Sequence, residues 1–241
     1  MANALSKVEG IGVNAVQGGS SLGTPLHVAA EFNSEKVIDV LLRAGEINVN
    51  ARDCVIYTPL HWAAFHNSKK AIDALLKAED IDVNLINKNS ETPLHCAARF
   101  GSEGAISALL KAKDIDVNAK DKDSKTPLLL TVSDWNNEEA LNILIGEADV
   151  KVVDKDGNTP LHLVALNDDD GKFVQALIKR GANVNAENQD RCTPLHLGAE
   201  HGHTDILNAI IQNRANVKVV NVKMEVPLYI WLLHVIAKKK L

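Results

Sequence analysis

The sequence predicts an all-α solenoid of about six full helix-turn-helix repeats, with irregular caps at both ends. Three observations lead to this prediction. All seven prolines precede a leucine, successive prolines are separated by 34, 34, 34, 33, 34 and 33 residues, and pairs of apolar residues recur about 13 residues after each signature. A fixed period of roughly 20 to 50 residues is typical of arrays whose units bury their apolar faces against one another.

The first helix of each repeat is predicted to start at a Thr-Pro-Leu signature. Threonine can cap a helix by accepting a hydrogen bond from an unpaired amide, and proline suits the first helical position because it has no N–H to satisfy. Thr-Pro-Leu-His begins at five positions, namely Thr24, Thr58, Thr92, Thr159 and Thr193. The fourth repeat has Leu129 in place of the histidine, so we expect it to be the least regular.

Apolar pairs four residues apart predict the second helix of each repeat. Val37-Ile38 is followed by Leu41-Leu42, and Ile206-Leu207 is followed by Ile210-Ile211. A spacing of four places both pairs on one helical face. Asparagine- and aspartate-rich stretches follow the second helices and have the composition of turns. A helix this short can bury its apolar face only by stacking on its neighbours.

These signals divide the chain into a repeat region and two caps. The predicted N-terminal cap or partial repeat is 1–19, and a partial seventh repeat or C-terminal cap occupies 222–241. The six repeats between them are predicted at about 20–53, 54–87, 88–121, 122–154, 155–188 and 189–221.

The repeats resemble ankyrin repeats through Thr-Pro-Leu-His-x-Ala-Ala at 24–30, 58–64 and 92–98, through the Leu-Leu pairs and through Val-Asn-Ala segments. In style they are similar to ankyrin proteins of intracellular bacteria. The resemblance implies paired antiparallel helices with a projecting loop, stacked into a slightly curved array. It also implies a non-enzymatic adaptor or scaffold that binds another protein through its concave face and loop tips. An effector that acts on host proteins is a narrower form of this expectation.

The few aromatic residues indicate where a partner binds, because aromatic side chains are enriched at binding surfaces. They make up only 4% of the chain, and several lie at loop tips or near the ends of first helices. The predicted partner-binding residues are Phe32, Val55, Ile56, Tyr57, Phe65, Phe100 and Trp135. The alternative is that several of these rings pack between repeats and cover the core. Trp62 is predicted to lie in the core.

Histidine is abundant, but its placement predicts a structural role. Five of the nine histidines belong to the repeat signature, where we expect the ring nitrogens to join the threonine hydroxyl to neighbouring loop backbone. His201 and His203 match no metal-binding spacing, and the chain has no Walker loop, HExxH or GxSxG motif. We therefore predict no catalytic residue, no cofactor and no metal ion.

Charge and cysteine usage argue against other classes of partner and compartment. A net charge of −5 gives no basis for binding nucleic acid, which requires clustered cations. Three widely spaced cysteines indicate neither disulfides nor zinc and favour a reducing compartment. Residues 1–12 lack a signal-peptide pattern, and the apolar run 226–237 is shorter than the ~20 residues of a membrane-spanning helix. We expect a soluble, intracellular (cytoplasmic) protein without membrane contact, and export without a classical signal peptide fits the effector interpretation.

The C-terminal segment 222–241 suggests two further hypotheses. Its apolar side chains would support self-association, through Tyr229, Trp231 and Leu232, and the alternative is that the segment packs on the sixth repeat. The sequence Glu-Val-Pro-Leu at 225–228 resembles an F-box motif, which would make the chain a substrate-recruiting subunit of a ubiquitin ligase. The repeat register explains the same proline without that hypothesis.

Overall fold

The computed structural model describes residue 14 and residues 23–44, 46–134, 138–167 and 171–219. These residues contain twelve α-helices and no β-strand, which confirms the all-α prediction. The chain divides into two compact units, Met1–Lys122 and Asp123–Leu241. The predicted caps at 1–19 and 222–241 lie outside the described residues, apart from Asn14. The exact repeat boundaries stay a prediction.

In the first unit, each repeat contributes a first and a second helix, which alternate along the chain. They are α1 (Pro25–Glu31), α2 (Glu35–Arg43), α3 (Pro59–Phe65), α4 (Lys69–Leu75), α5 (Pro93–Arg99) and α6 (Glu103–Leu109). The first helices α1, α3 and α5 pack side by side, and so do the second helices α2, α4 and α6. Each second helix also packs on the first helix of its own repeat. This is the stacking that the apolar pattern predicts.

The second unit repeats this arrangement. Its helices are α7 (Pro127–Asp134), α8 (Glu138–Glu147), α9 (Pro160–Leu166), α10 (Lys172–Lys179), α11 (Pro194–His201) and α12 (Thr204–Gln212). First helices again pack on first helices, and second helices on second helices. In α7 the side chain of Leu129 is fully buried where the other repeats carry histidine.

The first helices start where the signature predicts, each at its proline. At α3 the side chain of Thr58 accepts a hydrogen bond from the backbone N–H of His61, while Pro59 occupies the first turn. The leucine after the proline is completely buried in each of these first helices, as in Leu60 and Leu94. The threonine cap therefore fixes the start of the helix, and the leucine anchors that start to the core.

The short turn between the two helices of a repeat requires a left-handed backbone. Asn33, Asn67 and Gly101 occupy this position in the first unit, with φ angles of 52°, 53° and 59°. Glycine has no Cβ to clash there, and asparagine tolerates the conformation better than most residues. The turn then reverses the chain, so that the second helix packs antiparallel to the first.

Candidate interaction surface

Exposed phenylalanines lie at the ends of the three first helices of the first unit. Phe65 is the last residue of α3, and Phe32 and Phe100 directly follow α1 and α5. Their exposed fractions are 70% for Phe32, 39% for Phe65 and 48% for Phe100. Because α1, α3 and α5 pack side by side, these rings lie on the same edge of one helical layer.

Two of these rings contact each other. The ring centroids of Phe65 and Phe100 are 4.3 Å apart, with an angle of 55° between the ring planes. Phe65 also contacts His66, at 4.9 Å between centroids. Phe32 makes no ring contact with another described residue and instead lines a shallow apolar depression with Val28 and Val37. The structure thus brings together part of the predicted set.

Trp62 lies at the surface of α3, which corrects the prediction that it belongs to the core. The side chain is half-buried, and its indole Nε1 donates a hydrogen bond of 2.9 Å to Oδ2 of Asp53. The indole also stacks on His66, at 5.7 Å between centroids. An indole N–H needs a polar partner, and the buried Asp53 supplies one at the rim of the helical layer.

The same aspartate organises the loop that precedes α3, in which the backbone N–H of Asp53 donates to the carbonyl of Tyr57. We call this loop and its equivalents before the other first helices hairpins. Oδ1 of Asp53 accepts hydrogen bonds from the backbone N–H groups of Val55 at 2.9 Å and Tyr57 at 2.8 Å. Between them, Ile56 has a φ of 66° and is 38% exposed. A β-branched residue rarely adopts this left-handed conformation. Hairpin contacts therefore hold an apolar side chain outward at a strained position.

Tyr57 connects this hairpin to the helices. Its ring stacks on that of His61, at 5.4 Å between centroids. Burial raises the pKa of the Tyr57 hydroxyl to about 12, with further contributions from Cys96 and Glu91, while Arg99 opposes the rise. Tyr57 therefore stays neutral and lies close to the charged residues of the third repeat.

Glu91 and Arg99 form an ion pair beside the aromatic residues. The Glu91 side chain is almost fully buried, whereas that of Arg99 is partly exposed. The Nε of Arg99 donates to Oε1 of Glu91 at 3.0 Å, and Nδ2 of Asn87 donates to Oε2 at 2.9 Å. Burial alone would raise the pKa of Glu91, but the bonds from Asn87 and Arg99 outweigh it and lower that pKa. The carboxylate is therefore held ionised.

Three signature histidines, His27, His61 and His162, join consecutive repeats in the way that the sequence predicts. Nδ1 of His61 lies 2.8 Å from the Thr58 hydroxyl and accepts from the backbone N–H of Thr58 at 3.2 Å. The proton must therefore reside on Nε2, which donates to the carbonyl of Glu91 at 3.0 Å. His27 and His162 make the equivalent bonds to Tyr57 and Cys192. Burial lowers the pKa of His61 to about 4.

Several predicted features fall outside the described residues. These are Trp135 and the C-terminal segment that carries the self-association and F-box hypotheses. The remaining predicted binding residues form two groups, the hairpin Val55, Ile56 and Tyr57 and the ring pair Phe65 and Phe100, with Phe32 separate. Sequence reasoning missed His66 and the Glu91–Arg99 pair, although the spacing of His66 from Trp62, four residues, could have indicated their contact.

The residues considered for metal chemistry are not clustered. His201 and His203 lie 5.8 Å apart between ring centroids, and each bonds a backbone carbonyl through Nδ1. Among the described residues, no group of three or more histidine, cysteine, aspartate or glutamate side chains could hold a metal ion. Cys54, Cys96 and Cys192 are all free thiols, and only Cys54 is exposed. Within the described part of the chain, no helix is long and apolar enough to cross a membrane.

Solved structures with the same fold are known. The ankyrin-repeat domain of Bcl-3, described as a unique member of the IkappaB protein family, has a TM-score of 0.78 and 24% identity over 89% of this chain and 98% of its own. An ankyrin-repeat domain (ABAYE2397) from Acinetobacter baumannii AYE has a TM-score of 0.71 and 26% identity over 80% and 98%. EF0377, an ankyrin repeat protein, gives 0.69 and 22% over 79% and 97%.

The family comparison covers most of the sequence. No curated protein matches the chain. The family profile described as "Ankyrin repeats (3 copies)" matches residues 2–87, 26–121, 60–147 and 128–221 in overlapping segments. These matches extend across both units and all twelve helices. The chain therefore belongs to the ankyrin-repeat family and folds as an ankyrin-repeat solenoid.

Proposed function

We propose that this protein is a non-enzymatic adaptor or scaffold that binds another protein through the aromatic surface of its first unit. Ankyrin repeats are generally protein–protein interaction modules. The observation that carries the proposal is the contact of Phe65 with Phe100 on the exposed edge of α3 and α5. We name these two residues, together with Trp62 and His66, the aromatic patch.

The composition of the aromatic patch suits an anchoring site. Aromatic residues contribute large apolar contact areas, and they dominate the energetics of many interfaces. Trp62 is fixed by its hydrogen bond to Asp53, so little side-chain entropy would be lost on binding. The hairpin Val55, Ile56 and Tyr57 precedes the same helix and adds apolar surface next to its first turn. A partner lying on α3 could contact both.

Narrower roles are separate proposals. An effector that acts on host proteins would use the same surface, with a host protein as the partner. A ubiquitin-ligase subunit would in addition need the segment 225–233 to dock the ligase, and this segment lies outside the described residues. We favour the general adaptor role because the exposed aromatic residues of the first unit support it directly.

The proposal is tested by measuring how a double substitution changes partner binding. Proteins captured by the full chain would be identified, and the affinity of the most enriched one measured by calorimetry. Phe65→Ala with Phe100→Ala should weaken that affinity by at least about tenfold, since truncating an aromatic anchor commonly costs about 2 kcal/mol or more. The matched control is Val153→Ala with Ile211→Ala, which removes two exposed apolar side chains of the second unit. Equal affinities for both variants would contradict the proposal.

A further inference from the structure

The segments that precede the first helices α3, α5 and α7 expose several basic side chains. Arg52, Lys88, Lys120 and Lys122 are all exposed in the segments that precede the first helices. The acidic residues of the same segments are buried or paired, and Asp123, which follows Lys122, pairs with Lys155. Asp53 and Asp121 are buried, and the buried carboxylate of Glu91 is already paired with Arg99. We name the four exposed cations the basic row.

The basic row is not neutralised within the molecule. Arg52, Lys88 and Lys120 make no ion pair with any described residue. Nζ of Lys122 bonds the neutral side-chain oxygen of Asn89, at 3.2 Å. The local charge is therefore positive, although the net charge of the chain is −5. Unpaired charge of one sign on a surface attracts a partner of the opposite sign.

Most exposed acidic residues of the unit lie in the loops that follow its second helices. Five of them are Glu46, Asp80, Asp82, Asp114 and Asp116. Asp82 and Asp116 accept hydrogen bonds from the backbone N–H groups of Asn84 and Asn118, which fixes them at the base of the hairpins. Exposed acidic side chains are therefore concentrated in these loops, which also carry the exposed Lys113.

Arg52 and Lys88 precede α3 and α5, whereas Phe65 and Phe100 mark the C-terminal ends of the same helices. Lys120 and Lys122 precede α7, and Nζ of Lys122 reaches the side chain of Asn89 in the hairpin before α5. A helix of seven residues is about 10 Å long. Arg52 lies near the start of α3, since the adjacent Asp53 accepts hydrogen bonds from the backbone of Tyr57 and the indole of Trp62. A short peptide segment laid along α3 therefore reaches both features.

We propose that the partner contributes an acidic segment with an apolar anchor, whose carboxylates contact the basic row while the anchor contacts the aromatic patch. This inference rests on the proposed function and adds the chemistry of the partner. The distance along α3 corresponds to about three or four extended residues between the anchor and the nearest carboxylate. Paired apolar and charged contacts of this kind give affinity through the anchor and orientation through the charges.

The test uses a random peptide display library selected on the full chain. We expect the enriched peptides to carry an aromatic or large aliphatic residue and a clear excess of aspartate and glutamate over lysine and arginine. The most enriched peptide would be synthesised with a fluorophore, and its binding measured by anisotropy. Raising the salt from about 0.05 M to about 0.5 M should weaken this binding, because charges at exposed sites are screened.

Charge-reversal variants test whether the basic row, rather than other exposed cations, contributes to peptide binding. In Arg52→Glu with Lys88→Glu and Lys122→Glu, the affinity for the peptide should fall by at least about tenfold. The control variant, Lys36→Glu with Lys69→Glu and Lys70→Glu, makes the same change of charge at exposed positions of α2 and α4. Its affinity for the peptide should differ from that of the parent by less than about threefold. Circular dichroism would establish that both variants keep the helical fold.

The outcomes distinguish this inference from the proposed function. Enriched peptides that are neutral or basic, but that lose binding in Phe65→Ala with Phe100→Ala, would overturn the acidic chemistry and leave the adaptor role standing. A library that yields no peptide dependent on the aromatic patch would count against the adaptor role itself. A single-stranded oligonucleotide that binds more tightly than the selected peptide would assign the basic row to nucleic acid and overturn the inference.

Discussion

The rings of Phe65 and Phe100 lie 4.3 Å apart and are inclined by 55°, although the residues belong to different repeats. Inclined aromatic pairs gain about 1 kcal/mol beyond the area they bury. We therefore predict a coupling free energy of about that size between Phe65→Leu and Phe100→Leu in a double-mutant cycle measured by urea unfolding.

A second cycle provides the control for this coupling. Phe32 occupies the equivalent helix end in the preceding repeat but makes no ring contact with another described residue. Phe32→Leu and Phe100→Leu should therefore be additive within about 0.5 kcal/mol. Equal coupling in both cycles would show that the contact between the two rings contributes nothing specific.

The Glu91–Arg99 pair predicts an asymmetric response to substitution. Removing Arg99 leaves a buried carboxylate with only asparagine donors, whereas removing the Glu91 charge leaves a guanidinium that is partly in water. Arg99→Met should therefore reduce the free energy of unfolding by about 1 to 3 kcal/mol, and Glu91→Gln by less. Chemical denaturation of the two variants at neutral pH measures the difference. A larger loss for Glu91→Gln would show that the carboxylate tolerates isolation.

The sequence predicts the helices better than the surface. Periodicity and the caps of Thr58 and Thr92 determine where α3 and α5 start, because these signals are local. The prediction that Trp62 lies in the core is wrong because its position depends on a non-periodic contact. Its position depends on a hydrogen bond to Asp53, nine residues away in the hairpin, and no periodic pattern encodes that bond.

The contact of Phe65 with Phe100 shows a second limit of the sequence. The two residues are 35 positions apart, one more than the repeat of 34, so the register alone places them at neighbouring rather than equivalent positions. Whether the rings then touch depends on side-chain rotamers at the ends of two separate helices. The sequence therefore predicts both phenylalanines as binding residues but does not predict that their rings contact each other.

Buried histidines predict a loss of stability in mild acid. The pKa of His61 is about 4 in the folded protein, against an ordinary value of 6.5. The unfolded chain thus binds more protons between these two values, so the free energy of unfolding falls as the pH decreases through this window. His61 alone should lower it by about 2 kcal/mol between about pH 7 and pH 5. His27, His162 and His196 act in the same direction, because burial lowers their pKa values too.

Urea unfolding at the two pH values tests this prediction. The lowered pKa of Glu91 makes its contribution to stability disappear only below about pH 4.5, so it does not interfere in this range. His61→Gln should be less stable at neutral pH and should show a shallower pH dependence. The control His66→Gln removes an exposed histidine and should keep the pH dependence of the parent. Equal stability of the parent at both pH values would contradict a neutral, buried His61.

Ile56 predicts a conflict between stability and binding. Its φ of 66° strains a β-branched residue, whereas glycine adopts this conformation freely. Ile56→Gly should therefore raise the free energy of unfolding by about 1 kcal/mol. The control Ile86→Gly replaces another exposed isoleucine, which has no positive φ. It should lower the free energy of unfolding, because glycine gains more freedom in the unfolded chain.

If the hairpin contacts the partner, Ile56→Gly should also weaken binding while it stabilises the fold. Unchanged affinity, measured by calorimetry, would remove Ile56 from the proposed surface, and a loss of stability would show that the hairpin relieves the strain in another way.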